Sequence, residues 1–231
     1  MTERAETLSI IIPVYNEERT IDEIIRRVAL VPMNVEKELV IVNDGSKDGT
    51  SEKLKEYEGT HKVVTHATNQ GKGSAIRTGL LHATGKYVVI QDGDLEYDPH
   101  DLSTMVDVMQ KDNLNVLYGS RRLKEDNVPH SGLSFFIGGW ILTIMTNILY
   151  GQRLTDEPTC YKMFRTDFIK GIPLVCERFE FCPEVTALAA RKGEIIREIP
   201  ISYAPRGVKE GKKINWKDFI EAVWTLLRHR V

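Results

Sequence analysis

Four short runs of β-branched and apolar residues recur in the first part of the chain, with room for one helix between each pair. They are Leu8–Ile12 (LSIII), Glu38–Val42 (ELVIV), Lys62–His66 (KVVTH) and Tyr87–Gln91 (YVVIQ). Helical patterns over Thr20–Leu30, Thr50–Glu58 and Lys72–Ala83 fill the intervals, and Gly85 reads as the cap that closes the third. Strands apolar on both faces and separated by helices form a parallel sheet covered on both sides. The expected fold is therefore α/β, a Rossmann-like, mostly parallel sheet with helices on both faces. Such sheets bind ligands beyond the carboxyl ends of their strands. The loops after the first, second and fourth strands are the places to look for chemistry.

Beyond Pro99 the pattern loosens into one further helix (Asp101–Gln110), a short strand (Asn115–Gly119) and a less regular remainder. A length of 231 residues suits one ordinary α/β domain, so 1–231 is read as a single unit. With 31 Lys or Arg against 33 Asp or Glu, the formal net charge is −2, which excludes the basic excess of a general nucleic-acid binder. The odd set Cys160, Cys176 and Cys182 has no CxxC pair, which argues against a disulfide scaffold and for a reducing, cytoplasmic setting. Neither these cysteines nor the scattered histidines have zinc-ligand spacing. The opening MTERAETLSI has no basic head followed by an apolar run, so no signal peptide is expected. The longest apolar stretch, Leu133–Tyr150, is interrupted by Ser134, Gly138, Gly139, Thr143, Thr146 and Asn147. It reads as an amphipathic helix rather than a membrane span.

The three loops are PVYNEE (13–18), NDGSKDGT (43–50) and QDGDLEYDP (91–99). Asp92-Gly93-Asp94 ends a buried strand, and Glu96 follows two residues on. Carboxylates so placed suit a divalent cation shared with a diphosphate, and an acidic turn capping the next helix is the plain alternative. In NDGSKDGT, Gly45 and Gly49 permit positive φ, and Asp48 or Thr50 can cap the following helix. Asp44, first after its strand, is placed to accept a hydrogen bond from a nucleobase N–H. The loop NQGKG (69–73) opens a helix where its glycines and Lys72 can meet phosphate. It lacks P-loop spacing, and no GxGxxG follows the first strand, so neither a P-loop ATPase nor a dinucleotide dehydrogenase is supported.

In this order, PVYNEE, VNDGSKDGT, NQGKGSAIRTG and QDGDLEYDP resemble the nucleotide-sugar half of a family 2 glycosyltransferase with the GT-A fold. GSR (119–121), LTDEPTCYKMFR (154–165), FEFCPEV (179–185) and YAPRGVKEGKK (203–213) are similar to the branch that makes polyprenyl-phosphate sugars, the dolichyl-phosphate mannose or glucose synthases. The likeness runs from about Leu8 to Arg228. It implies an inverting, metal-dependent enzyme that moves a hexose from a UDP- or GDP-sugar to a polyprenyl or dolichyl phosphate, using Mg²⁺ or Mn²⁺. It also implies a nucleotide-sugar half at about 1–120 and an acceptor-facing half at about 121–231.

Residue by residue, the resemblance assigns Pro13, Tyr15 and Glu17 to the nucleoside, and Val42 and Asp44 to the base. Asp92 and Gly93 approach the ribose or sugar, Asp94 is the main metal ligand, and Glu96 stands where mannose synthases often carry Gln. Lys72, Arg121, Arg206 and Lys212 supply positive charge around the phosphates. The R-x5-K spacing of Arg206 and Lys212 is similar to a mobile phosphate-gripping loop. Asp94, Arg121 and Asp156 form the catalytic set. The chain departs from many relatives by reading TDEPTCYKMF in place of a Ser-Gly-Phe-Arg version, which alters the acceptor pocket.

Asp156 admits two roles. For a hydroxyl acceptor, soluble or on a glycan, it is the first candidate for general base. For a phosphate acceptor, already ionised at neutral pH, it positions the acceptor or the metal shell. A helix cap before Pro158 is the plain reading. A nucleotide-sugar pyrophosphorylase or a nucleotide-binding module is the alternative from another class. The implied acceptor directs attention to the membrane. Phe136, Ile137 and Trp140 lie on the apolar face of the 133–150 helix, and Arg191–Val231 carries ten Lys or Arg against five Asp or Glu. Peripheral attachment at the cytoplasmic face of a membrane follows as the expectation, directly or beside a separate membrane protein.

Overall fold

The computed structural model describes residues 6–127, 133–205 and 216–230, with backbone alone for 133–135. β1 (Thr7–Val14) places Leu8, Ile10, Ile11 and Ile12 wholly out of solvent. α1 (Ile21–Leu30) buries Ile21, Ile24, Ile25 and Val28, the i, i+3, i+4, i+7 stripe of a helix lying on a sheet. β2 (Glu36–Asn43), α2 (Thr50–Leu54) with a 3₁₀ turn at Lys55–Tyr57, β3 (Lys62–Thr65), α3 (Lys72–His82) and β4 (Tyr87–Ile90) complete the alternation. α4 (Asp101–Lys111) leads to β5 (Val116–Ser120), and α5 spans Leu133–Tyr150.

The remainder is more regular than the sequence pattern indicates. β6 (Lys162–Arg165), α6 (Thr166–Lys170), α7 (Phe181–Arg191), β7 (Arg197–Pro200) and α8 (Trp216–Arg228) follow. β6 and β7 enter the same sheet, whose order is β3-β2-β1-β4-β6-β5-β7. The β1–β2, β2–β3, β1–β4 and β5–β7 pairs are parallel, and β6 runs antiparallel to both its neighbours. β6 pairs Val89 with Met163 and Tyr118 with Lys162, so its first residues lie beside the carboxyl ends of β4 and β5. The direction of strand order changes at β1, with β2 on one side and β4 on the other. That is the switch point where α/β sheets open a crevice.

Two glycine expectations need correcting. α3 ends at Ala83 in an extended conformation, and Gly85 is not its cap. A Cβ at Gly85 would lie 2.5 Å from the Thr7 carbonyl oxygen, so glycine is required by the close approach of this turn to β1. Gly49 has φ −69° rather than a positive φ, and a Cβ there would lie 2.5 Å from Glu18 Oε1.

α5 packs on α7 and α8. Leu142, Ala222 and Leu226 form a small core between α5 and α8, and the Tyr150 hydroxyl donates to the Leu226 carbonyl at 2.5 Å. The outer faces stay uncovered: Phe136, Ile137, Trp140 and Ile148 of α5, and Trp216, Ile220, Trp224 and Leu227 of α8, are exposed. No helix among the described residues is long and apolar enough to cross a membrane.

Candidate functional site

The loops after β1 and β2 are stitched together by side chains of NDGSKDGT. The Asn16 N–H donates to Ser46 Oγ (3.0 Å), the Glu17 N–H to Thr50 Oγ1 (2.9 Å) and the Glu18 N–H to Asp48 Oδ2 (3.3 Å). In return the Lys47 N–H donates to Asn16 Oδ1 and the Gly49 N–H to Glu18 Oε2. Thr50 thus acts across the loops, and Asp48 does so with one oxygen while the other receives the Thr50 N–H at the start of α2 (3.0 Å). α2 begins at Gly49 with no side-chain cap. Pro13 and Val42 are ladder partners between β1 and β2, which brings two of the expected nucleoside contacts side by side. Glu17 packs its side chain over Gly93, where a Cβ would be 3.6 Å from Glu17 Cγ, and so joins the first loop to the Asp92–Asp94 turn.

Asp44 has a role that its position in the sequence did not reveal. Its carboxylate receives the N–H groups of Gln70 and Gly71 and the amide of Asn69, each at 2.8 Å, and His66 Nδ1 lies 2.8 Å away. These four contacts occupy the four acceptor positions of a carboxylate. In this structure Asp44 is the clamp of the 69–71 loop rather than an open acceptor for a base. The start of α3 is likewise filled: the N–H groups of Gly73 and Ser74 donate to the carbonyls of Arg178 and Glu177, both at 2.9 Å. A Cβ at Gly71, whose φ is +98°, would lie 2.3 Å from the Glu177 carbonyl. The glycines of NQGKG admit the 177–178 segment and leave those N–H groups no opening for phosphate. Lys72 instead pairs with Asp92 at 2.5 Å. Burial would strip its proton, but the Asp92 carboxylate holds its pKa well above the ordinary lysine value.

The turn after β4 is built on buried polar groups. Gln91 takes a hydrogen bond from the Tyr161 hydroxyl (2.6 Å) and donates to the Asp92 carbonyl (3.1 Å). The Glu96 N–H closes the turn on Asp94 Oδ1 at 3.1 Å. Leu95 within it has φ +65°, a left-handed conformation that costs a non-glycine residue about 1–3 kcal/mol. Among the described residues, no three His, Cys, Asp or Glu side chains gather closely enough to hold a metal alone. The oxygen donors of Asp94 and Glu96 nevertheless fit a Mg²⁺-type cation, which keeps waters and takes one or two carboxylates together with substrate phosphates.

Across the crevice, Asp156 is wholly buried and grips Arg121. Nε and Nη2 donate to its two oxygens at 2.7 Å each, and the Arg121 backbone N–H adds a third bond at 3.0 Å. Burial would raise the Asp156 pKa, and the guanidinium outweighs it, holding the carboxyl below the usual range. Burial likewise opposes the charge on Arg121, and Asp156 reverses the balance. This pairing engages both carboxylate oxygens of Asp156, and the helix-cap reading is corrected. A buried carboxylate already bound twice to a guanidinium is a poor proton acceptor, and no helix starts from it.

The Arg121 guanidinium lies 5.1 Å from the centre of the Tyr203 ring, and the Tyr203 hydroxyl donates to Glu96 Oε2 at 2.7 Å. Tyr203 also packs edge-on against Tyr97 at 5.3 Å. Asp156, Arg121, Tyr203 and Glu96 therefore form one connected series that joins the expected metal turn to the basic centre. Tyr203 opens the YAPR segment and has no assigned role in the sequence pattern. A tyrosine three residues ahead of a site arginine was the signal available. Arg206 and Lys212 lie outside the described residues.

Comparison with known proteins places this geometry. The model of the family described as "Glycosyl transferase family 2" matches residues 9–172. The chain is 29% identical over 182 residues to a dodecaprenyl-phosphate galacturonate synthase of Rhizobium johnstonii, covering 76% of this chain and 53% of that protein. It is 29% identical over 240 residues to a dolichyl-phosphate beta-glucosyltransferase of Trichomonas vaginalis, covering 96% and 72%. The chain thus spans about half the length of the first of these relatives. Among solved structures, glucosyl-3-phosphoglycerate synthase from Mycobacterium tuberculosis in complex with Mn²⁺, UDP-glucose and phosphoglyceric acid superposes with a TM-score of 0.74. That match has 17% identity and covers 97% of this chain and 80% of that one, which establishes the shared GT-A fold. The matched span includes the Asp92–Asp94 turn, Arg121 and Asp156 and exceeds half of the sequence, so the chain belongs to glycosyl transferase family 2.

Proposed function

We propose that the chain is an inverting hexosyltransferase that carries a sugar from a UDP- or GDP-sugar to a polyprenyl or dolichyl phosphate. The observation that carries this reading is the Asp156–Arg121 pair. The carboxylate that a hydroxyl acceptor would need as base is spent on a guanidinium, whereas a phosphate monoester arrives already ionised. The names of the relatives, a dodecaprenyl-phosphate and a dolichyl-phosphate enzyme, point the same way. Family membership removes the pyrophosphorylase and binding-module readings.

In this reading the β1 and β2 loops, with Pro13, Tyr15, Glu17 and Val42, receive the nucleoside, and Asp44 supports them by fixing the 69–71 loop. Lys72 orients Asp92 toward the sugar, and Gly93 leaves room for it. Asp94, with Glu96, holds Mg²⁺ or Mn²⁺. When bound, that cation neutralises charge on the diphosphate. Arg121, fixed by Asp156 and by the Tyr203 ring, adds positive charge from the opposite side, together with Arg206 and Lys212. Preorganised charges of this kind stabilise the departing diphosphate without rearrangement, and the acceptor oxygen attacks the anomeric carbon from the other face. About 1–120 serves the donor and about 121–231 the acceptor.

The uncovered outer faces of α5 and α8 rest on a membrane surface, where tryptophans and basic side chains favour the headgroup layer. In this reading the protein sits peripherally at the cytoplasmic face, where a separate membrane protein can share the same side. The test is transfer from radiolabelled UDP- and GDP-sugars, with and without Mn²⁺, to farnesyl phosphate and to farnesol. Product on the phosphate alone supports the reading. Product on the alcohol, or on added glycans, overturns it.

A further inference from the structure

Arg121 is satisfied by Asp156, but its neighbour Arg122 is not. Arg122 donates its backbone N–H to Ser120 Oγ (3.2 Å) and lays its guanidinium 4.9 Å from the centre of the Phe136 ring. It reaches the Phe136 carbonyl only at 3.5 Å, through Nη2. Its Nε is buried with no hydrogen-bond partner. The two acids whose charges act on it are both engaged elsewhere. Asp156 is bound to Arg121, and Glu198 receives the Thr155 N–H and hydroxyl (2.6 and 2.8 Å) and the Asp156 N–H (3.0 Å). Gly139 keeps the approach to α5 open: a Cβ there would lie 3.4 Å from Arg122 Nη2 and 3.2 Å from Pro158 Cγ.

A buried donor left unpaired is costly, and the planar Nε–Nη2 edge of a guanidinium matches two oxygens of a phosphate. A small turn away from Phe136 would offer that edge to an anion. Beside it runs the exposed apolar face formed by Phe136, Ile137 and Trp140. Anion receptor and apolar track together suit a ligand with a charged head and a hydrocarbon tail. We propose that Arg122 binds the phosphomonoester head of a lipid-linked ligand, whose chain lies along Phe136, Ile137 and Trp140 of α5. This inference rests on the acceptor reading above and adds a second guanidinium, distinct from Arg121, that selects the phosphate head.

The test is calorimetric titration of the full chain and of Arg122→Gln and Arg122→Lys with farnesyl phosphate, farnesol and inorganic phosphate in detergent. Farnesyl phosphate should bind the unsubstituted protein best, and Arg122→Gln should weaken it roughly tenfold or more. Arg122→Lys, which keeps the charge and loses the planar edge, should fall between them, and farnesol should bind all three equally. Unchanged nucleoside diphosphate affinity shows that the variants are folded. If the Gln variant melts, the Lys variant alone carries the comparison. Equal affinity of the variants for farnesyl phosphate overturns the proposal, as does inorganic phosphate binding as tightly as farnesyl phosphate. Transfer to farnesyl phosphate with a KM insensitive to Arg122 sinks this assignment and leaves the acceptor reading standing. Binding that depends on Arg122 without any transfer does the reverse.

Discussion

Asp156 holds Arg121 through both of its carboxylate oxygens at 2.7 Å while itself having no contact with solvent. Such a buried pair adds little net stability, yet losing one partner is expensive because the other charge stays buried. Arg121→Gln should therefore lower the unfolding free energy by about 3–5 kcal/mol, measured by denaturant titration. A change below about 1 kcal/mol would mean that Asp156 finds another partner.

The same pair sets an acid dependence. The Asp156 pKa is lowered in the folded state, so its stabilising share is fully present above the unfolded carboxylate value of about 4. That share is lost as pH falls through the lowered folded value. Thermal melts from neutral pH downward should show this acid limb in the unsubstituted protein and a shallower one in Asp156→Asn. Turnover on a phosphate acceptor should show no limb from Asp156 near neutrality. A rate limb near pH 6 that disappears in Asp156→Asn would restore the general base.

Asp94→Asn should remove metal-stimulated turnover and leave the melting temperature nearly unchanged, because the amide oxygen can still receive the Glu96 N–H. Glu96→Gln should be milder, since the amide keeps one oxygen that can bind the cation or receive the Tyr203 hydroxyl. Mn²⁺ titration of activity is the measurement, and full Mn²⁺ stimulation in Asp94→Asn excludes this ligand.

The hydroxyl and the ring of Tyr203 make contacts that substitution can separate. Tyr203→Phe keeps the ring beneath Arg121 and releases Glu96, costing about 1 kcal/mol and raising the Mn²⁺ concentration needed for half-maximal rate. Tyr203→Leu loses the ring as well and should also reduce kcat through Arg121. Identical kinetics in the two variants would show that the stacking contact is idle.

Trp140 is 51% exposed and Trp224 64% exposed, so glutamate at either position should leave the fold intact. Flotation with anionic vesicles should show less bound protein for each variant, and less for the unsubstituted protein as salt rises. Phe136→Glu should act in the same direction. Unfolding without loss of vesicle binding would place these side chains in a core.

The alternation of the first half was readable because its strands are apolar on both faces and its helices begin and end at turn residues. α5 was equally plain, because its small and polar residues recur at helical spacing along Leu133–Tyr150. β6 was hidden by its length of four residues and by Lys162, a lysine buried entirely with its ammonium 3.9 Å from the Tyr118 ring centre. At the site, position at a strand end singled out the Asp92–Asp94 turn, and the family resemblance singled out Arg121 and Asp156. Their partnerships could not be read: Asp44 faces the 69–71 loop and Lys72 faces Asp92 because of segments distant in sequence. Tyr203 is joined to Glu96 across more than a hundred residues.

Because β6 runs against its neighbours, the chain reaches the crevice rim on the way into this strand, whereas elsewhere it does so on the way out. Asp156 is thus set by the stretch that leads into Lys162, and the short ladder of β6 serves as its gauge. Removing one residue between them would either pull Asp156 off Arg121 or slip β6 by one place, turning Lys162 to the opposite face of the sheet. Any change of length between Asp156 and Lys162 should therefore be felt at Arg121 as well as in the sheet.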